Sequence, residues 1–325
     1  MTAWTNQFSP LALTSQEALP SLAISHLTNW SLISVIGDDK KSYLHGQVTC
    51  DVVSLNNTDS TMGAHCDAKG KVWSAFRLFH HNDGYALFQR REAVDTKLAE
   101  IKKYSVFSKV DFTLADDILL GVTGSDAEQF INNLSNESGN VRTISGGTAV
   151  KVADEQWLLA LNSAKAEELI TANESDAIFS TDTLWDLYDI RAALPRIESA
   201  TINEFIPQAI NVQAVGGISF TKGCYTGQET VARAKYRGIN KRAMYIVSGQ
   251  SEQAPKAGDA LERSVGENWR KGGTFIAGYQ FSDNTAIGLV VLPNDLDDDT
   301  QLRLANHEAL LWQKQPLPYS LDDNE

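Results

Sequence analysis

Residues 30–47 read WSLISVIGDDKKSYLHGQ: a β-branched apolar run stopped at Gly37, then an aspartate pair and a short stretch carrying Tyr43 and Leu44. The apolar run predicts a strand, the glycine a sharp turn, and the aspartate the start of a helix. The pattern returns 87 residues later in VTGSDAEQFI, where Val122, Gly124, Asp126, Phe130 and Ile131 stand for Val35, Gly37, Asp39, Tyr43 and Leu44. One strand–turn–helix unit used twice predicts two related α+β halves.

Working outward, HCDAKGKVWSAFRLF (65–79) and DGYALFQRR (83–91) read as strands joined at Asn82-Asp83-Gly84, a hairpin signal. Val94, Leu98 and Ile101 have helical spacing, so the basic residues after Lys97 (Lys102, Lys103 and Lys109) are expected to ride on that helix and its end. Residues 163–174 and the stretch LWDLYDIRAAL (184–194) read as two further helices. From Ala243 onward, short runs such as AMYIVSG, TFIAGYQF and AIGLVVL alternate with turn residues, which predicts a small all-β domain, a barrel or a sandwich. The expected organisation is a loose arm over 1–28, broken by Pro10 and Pro20, then α+β halves over 29–242 with a division near 112, then β structure over 243–325.

The chain has 325 residues, 42% of them hydrophobic and 21% charged, enough apolar material for a sizeable core; wholesale disorder is excluded. No apolar run approaches the ~20 residues of a membrane helix, and MTAWTNQFSP lacks the basic start and apolar stretch of a secretory signal. Cys50, Cys66 and Cys224 are far apart and without CxxC spacing, which argues against a disulfide framework and against a self-sufficient metal site. The expectation is a reduced, cytoplasmic protein with no metal ligands. Phosphate-loop, dinucleotide and HExxH motifs are absent. Asp295–Asp299 begins like a calcium loop but lacks the sixth-position glycine and closing glutamate, so it reads as solvated.

Charge is unevenly spread. The chain carries 28 basic and 41 acidic residues, a net −13, which disfavours nucleic acid binding over its whole surface. Yet the window Thr221–Arg242 holds Lys222, Arg233, Lys235, Arg237, Lys241 and Arg242 against Glu229 alone, a net of +5. Acidic residues collect at Asp295–Asp299 and at Asp322, Asp323 and Glu325. Such a basic window is either a solvated face or a local anion site for a polyglutamate tail, a phosphate or an RNA backbone.

That window overlaps GGISFTKGCYTGQETVARAKYRG (216–238), where Gly216, Gly217, Gly223 and Gly227 place four glycines in twelve residues. They hold Lys222, Cys224, Tyr225, Thr226 and the Gln228–Glu229 pair on a backbone able to turn sharply. A cysteine between a lysine and a helix N-terminus has two reasons for a lowered pKa, so Cys224 reads either as a reactive thiol or as a small residue filling a tight turn. Trp30 and Trp185 sit at the edges of apolar elements, suited to stacking a flat heteroaromatic or to core packing.

The octapeptide KGCYTGQE (222–229) resembles the signature of the YgfZ family, folate-binding proteins related to the aminomethyltransferase (T-protein) of the glycine cleavage system. The similarity extends to VIGDDKKSYLHGQVTCDV, HCDAKGKVWS, KKYSVFSKV, FIPQAINVQAVGGISF, ARAKYRG and PLPYSL, nearly the whole chain. The resemblance implies a ring of three domains around a folate pocket, two interleaved α+β domains and a C-terminal β-barrel. It implies folate (tetrahydrofolate or a derivative) as ligand, Trp30 and Trp185 as folate-contacting residues, and Cys224 as the motif thiol. It further implies support of iron–sulfur enzymes, including those that methylthiolate tRNA, and a link to replication-initiator regulation. The segment Arg191-Ala-Ala193-Leu-Pro195 departs from the family pattern, in which a glycine is usual near Ala193.

Two other functions fit parts of the sequence. A tetrahydrofolate-dependent one-carbon transferase needs a carboxylate to polarise an amine, for which Asp83 is the candidate by position. A direct tRNA-binding module would use the basic surface of Arg233, Lys235 and Arg237.

Overall fold

Gly37 and Gly124 take up the same left-handed backbone, φ 110° and 113°, in the computed structural model, which describes residues 3–238, 240–297, 299–305, 307 and 311–321. A Cβ on either glycine would lie 2.2–2.3 Å from a carbonyl oxygen, that of Lys109 or of Ser21. Asp39 and Asp126 follow with matching angles, φ −92° and −93°, and each opens a helix of eight residues. The repeat read from the sequence is thus a repeat of backbone geometry.

The chain runs β1 (Ala23–His26), β2 (Trp30–Ile36), α1 (Lys40–Gln47), β3 (Ser60–Cys66), β4 (Val72–His81), β5 (Gly84–Arg90), α2 (Val94–Lys102) and β6 (Asp111–Leu114). It continues through β7 (Ile118–Thr123), α3 (Ala127–Leu134), β8 (Val141–Ile144), β9 (Gly147–Ala153), β10 (Gln156–Leu161), α4 (Ser163–Ala172), β11 (Ile178–Thr181), α5 (Asp182–Arg191) and α6 (Gln228–Tyr236). Strands β12 (Arg242–Gln250), β13 (Ala260–Val265), β14 (Asn268–Gln280), β15 (Thr285–Pro293), β16 (Leu302–Leu304) and β17 (Leu311–Gln315) close a six-stranded barrel.

Two sheets precede the barrel, in the orders β3-β4-β5-β2-β6 and β11-β1-β7-β10-β9-β8. Their edges are exchanged. Strand β6 directly precedes the second repeat but pairs with β2 of the first, while β1 directly precedes the first repeat and pairs with β7 of the second. This exchange interleaves the two α+β halves.

It also corrects the expectation of a loose arm over 1–28. Ala23–His26 fills the gap between β7 and β11, and without it both neighbours would expose unpaired backbone groups. Trp4, 4% exposed, packs in the same apolar cluster as Ile24 and Trp157.

The basic residues of α2 differ in burial. Lys102 and Lys103 are exposed at its end, but Lys97 is fully buried, its ammonium 4.2 Å from the centre of the Phe76 ring. Helical phase decides this: Lys97 shares the inward face with Val94 and Ile101.

One apolar core joins sheets and barrel, containing Ala23, Cys66, Leu187, Val231, Met244 and Ile276. Asn211 pins the junction, its side-chain amide exchanging hydrogen bonds with both backbone groups of Met244 (2.7 and 3.0 Å). The Tyr319 hydroxyl, from the closing PLPYSL, donates to the Ala193 carbonyl at 2.7 Å. Ala193 itself has φ 48°, left-handed without being glycine.

Candidate functional site

Between the two sheets lies a narrow cavity of about 20 Å³, room for roughly one water, lined by Trp30, Met62, Arg77, Phe88, Asp189 and Leu194 among others. Trp30 enters from the start of β2 and Phe88 from β5; their rings stack with centroids 4.6 Å apart and planes 12° from parallel. The guanidinium groups of Arg90 and Arg196 lie 5.1 and 5.6 Å from the Trp30 ring centre.

Those arginines belong to a buried ion network. Arg90 meets Asp186 (3.3 Å) and Glu198 (3.1 Å), and Arg196 meets Asp186 (2.9 Å), Glu198 (2.5 Å) and, more distantly, Asp189 (4.0 Å). Asp189 also accepts a 2.7 Å hydrogen bond from the Gln156 amide. Burial pushes its carboxyl up to about 7, against the pull of Arg196. Arg77 donates to Ser60 (3.0 Å) and to the Val152 carbonyl (2.8 Å), while its Nε and the Trp30 Nε1 are enclosed without a protein partner.

Of the two tryptophans expected to face a ligand, only Trp30 lines this cavity. Trp185, 0% exposed, presses its face on Gly121, where a Cβ would lie 2.2 Å from the indole, and meets Trp30 edge-on at 6.4 Å. It backs the wall. Sequence reading missed Arg77, Phe88 and Asp189. The last was legible in part, since Asp182, Asp186 and Asp189 recur at i, i+4 and i+7 on a helix otherwise apolar on its packed face.

The KGCYTGQE motif is built differently from a nucleophile site. The Lys222 ammonium donates to three carbonyls, His45 (2.5 Å), Val48 (2.7 Å) and Cys50 (2.8 Å), and so caps the end of α1. Burial lowers its pKa to about 8. That ammonium is committed to backbone oxygens rather than to the thiol. Cys224 is exposed and does not line the Trp30 cavity; the buried neighbour is Tyr225. Gly223 has open space around it, whereas Gly227, at φ 83°, would bring a Cβ to 2.6 Å from the Asp67 carbonyl. Thr226 donates its backbone N–H to the Gly46 carbonyl at 3.3 Å, and α6 starts one residue after Gly227, at Gln228.

The basic window is dispersed by folding. Arg233 pairs with Glu229 at 2.5 Å, Lys235 lies 4.3 Å above the Phe220 ring, and Arg237 is exposed. Lys241 and Arg242 enter a separate cleft beside Lys71 and Lys271. Asp83 is exposed in the tight turn between β4 and β5. Asp298, Asp322, Asp323 and Glu325 of the acidic clusters lie outside the described residues. Among the described residues no group of three or more His, Cys, Asp or Glu side chains is placed to hold a metal, and no helix is long and apolar enough to cross a membrane.

Two interleaved α+β halves closed by a β-barrel define a protein of the aminomethyltransferase fold. The crystal structure of glycine cleavage system aminomethyltransferase T from Bartonella henselae matches with a TM-score of 0.68, covering 97% of this chain and 88% of that one at 12% identity, a likeness of fold. A family profile described as "YgfZ, beta-barrel domain" matches residues 240–307. Proteins named "tRNA-modifying protein YgfZ" are 58% identical over 316 residues in Aliivibrio fischeri (97% of this chain, 98% of that protein) and 57% identical over 322 residues in Vibrio atlanticus (98% and 99%). The protein of that name from Enterobacter sp. is 42% identical over 325 residues (98% and 99%). This chain belongs to the YgfZ family.

Proposed function

We propose that the chain is a folate-binding accessory protein of tRNA modification, acting in the cytoplasm in support of iron–sulfur enzymes such as those that methylthiolate tRNA, with a further link to replication-initiator regulation. The observation that carries the folate reading is the Trp30 cavity, where an aromatic wall, a carboxyl titrating near neutrality and the unpartnered Arg77 Nε converge at the seam of two sheets. A pterin offers a flat π-face with donors and acceptors on its edge; the polar lining suits that edge, and the Trp30–Phe88 wall would meet the π-face once their mutual stack at 4.6 Å gives way.

The donor set fits the pteridine; the space of about 20 Å³ does not until the wall opens. Binding is therefore coupled to displacement of side chains such as Met62 and Leu194. Bound folate supplies a one-carbon unit. Trp30 and Phe88 would hold its ring, Asp189 and Arg77 would offer polar groups to its edge, and Trp185 packs edge-on behind Trp30. Cys224, on the surface, is available to a partner protein rather than to a ligand in this cavity.

Asp189 also favours a second reading, one-carbon transfer, because it is a buried carboxyl at the cavity wall with a pKa suited to proton transfer. Tetrahydrofolate titrated into the protein is expected to quench tryptophan fluorescence saturably, and Trp30→Phe to weaken the response at least tenfold. An unchanged response in Trp30→Phe removes the cavity as the site. Turnover of an aminomethyl donor, lost in Asp189→Asn while folate still binds, would select the transferase reading.

A further inference from the structure

A second hollow lies where the barrel meets the turn between β3 and β4. Its volume is about 590 Å³, and its wall includes Lys71, Lys241, Arg242 and Lys271 with a single carboxylate, Glu204. These cations come from three distant parts of the chain. Lys71 precedes β4, Lys241 immediately precedes β12 and Arg242 opens it, and Lys271 lies on β14.

Several cations of this acidic protein are paired with carboxylates, among them Lys151 at Glu128, Lys165 at Glu168, Arg233 at Glu229 and Arg303 at Glu262; others that are exposed, such as Lys69, Lys102 and Arg270, have no such partner among the described residues but stand apart from one another along the chain. Lys241, Arg242 and Lys271 are exposed and have no ion-pair partner among the described residues. Lys71 is held at the rim by a 2.8 Å hydrogen bond to the Glu204 carbonyl. In a chain with 41 acidic and 28 basic residues, four cations facing one carboxylate in a single concavity make a locally positive site suited to an external anion.

Asn240 lines this cleft and also a hollow of about 380 Å³ on the other side that contains Lys235. The segment leading into β12 thus borders both hollows. Just before it stand the exposed Arg237 and Tyr236, the latter 69% exposed with its ring edge-on to Phe220 at 6.3 Å.

We propose that the Lys71–Lys241–Arg242–Lys271 cleft is a docking surface for the phosphodiester backbone of folded RNA, with Tyr236 stacking on an unpaired base. Repeated phosphates match several separated cations, and Tyr236, five residues before Lys241 in the chain, offers an exposed aromatic ring of the kind that holds a splayed base. A folate tail is the weaker match, since the cleft shares no lining residue with the Trp30 cavity. The inference rests on the tRNA side of the proposed function and is independent of the folate pocket.

The test is fluorescence anisotropy of a labelled unmodified tRNA transcript with the full chain, from 50 to 200 mM salt. The wild type should bind with an affinity that falls steeply with salt. The triple variant Lys241→Glu, Arg242→Glu, Lys271→Glu should lose at least ~100-fold, and the neutral triple, with Gln at each position, should lower the salt slope by about 2 to 3. Tyr236→Ala should weaken single-stranded loops more than a duplex. Lys165→Glu, on a different face, should change little. Failure of the wild type to bind the transcript at 50 mM salt overturns the proposal, as does equal binding by the charge-reversed triple. So does a triple that binds RNA normally but loses its preference for pentaglutamyl over monoglutamyl folate. The folate-dependent fluorescence change is read in the same variants. It should be intact in the triple, so that failure of the RNA surface and failure of the folate cavity are told apart.

Discussion

Trp185 meets Trp30 edge-on at 6.4 Å while its own face rests against Gly121, so one indole forms a cavity wall and the other holds it in place. The two should respond differently to substitution. Trp185→Ala empties a fully buried site and is expected to cost ~3–5 kcal/mol, measured by urea unfolding. Trp30→Phe keeps most of the apolar volume and should cost less than ~1.5 kcal/mol while impairing the folate response. Equal stability loss in the two would remove this division of roles.

Lys222 and Cys224 are two residues apart in the motif but differ in kind. Lys222→Met leaves three carbonyls at the end of α1 without their charged donor, an expected loss of roughly 2–4 kcal/mol. Lys222→Arg should not restore it, because a planar guanidinium cannot converge on three oxygens as an ammonium does. Cys224→Ser, at an exposed position, should stay within ~0.5 kcal/mol of wild type. Any cellular defect of Cys224→Ser then reports chemistry and not folding.

Lys97 makes stability depend on pH. Burial lowers its pKa to about 7, whereas an unfolded lysine titrates near 10.4. Between those values the unfolded chain binds a proton that the folded chain does not, so this contribution to stability rises with pH through the window and is smallest at and below neutrality. Lys97→Met should stabilise the protein by roughly 3–4 kcal/mol at pH 7 and flatten the pH 7–10 slope of its unfolding free energy. An unchanged slope would mean that the ammonium is not desolvated.

Ala193 occupies a left-handed backbone at φ 48°, where a side chain costs ~1–2 kcal/mol. After the larger unfolded-state entropy of glycine, Ala193→Gly is expected to gain ~0.5–1 kcal/mol, seen as a small rise in Tm. Gly227→Ala should act oppositely, because a Cβ there would meet the Asp67 carbonyl at 2.6 Å.

What could be read from the sequence follows from how local each feature is. The repeated unit was legible because Gly37 and Gly124 need their φ near 110° for a turn completed within a few residues. The barrel was legible from alternation and turn residues. Strand β1 was not, since AISH is four residues long and its partner Thr123 lies a hundred residues away. The cationic cleft was hidden for the same reason: Lys71 and Lys271 lie outside the basic window, while Lys222 inside it spends its charge on three carbonyls. Both tryptophans were singled out, but only packing distinguishes a wall from its support.

The central claim is that the Trp30 cavity is the folate site. Its most direct test is a crystal structure of the protein with tetrahydrofolate bound. The account predicts the pteridine against Trp30 and Phe88, its edge on Asp189 and Arg77, with Met62 and Leu194 displaced to admit it. Folate found beside Cys224, or elsewhere with this cavity still closed, would contradict it.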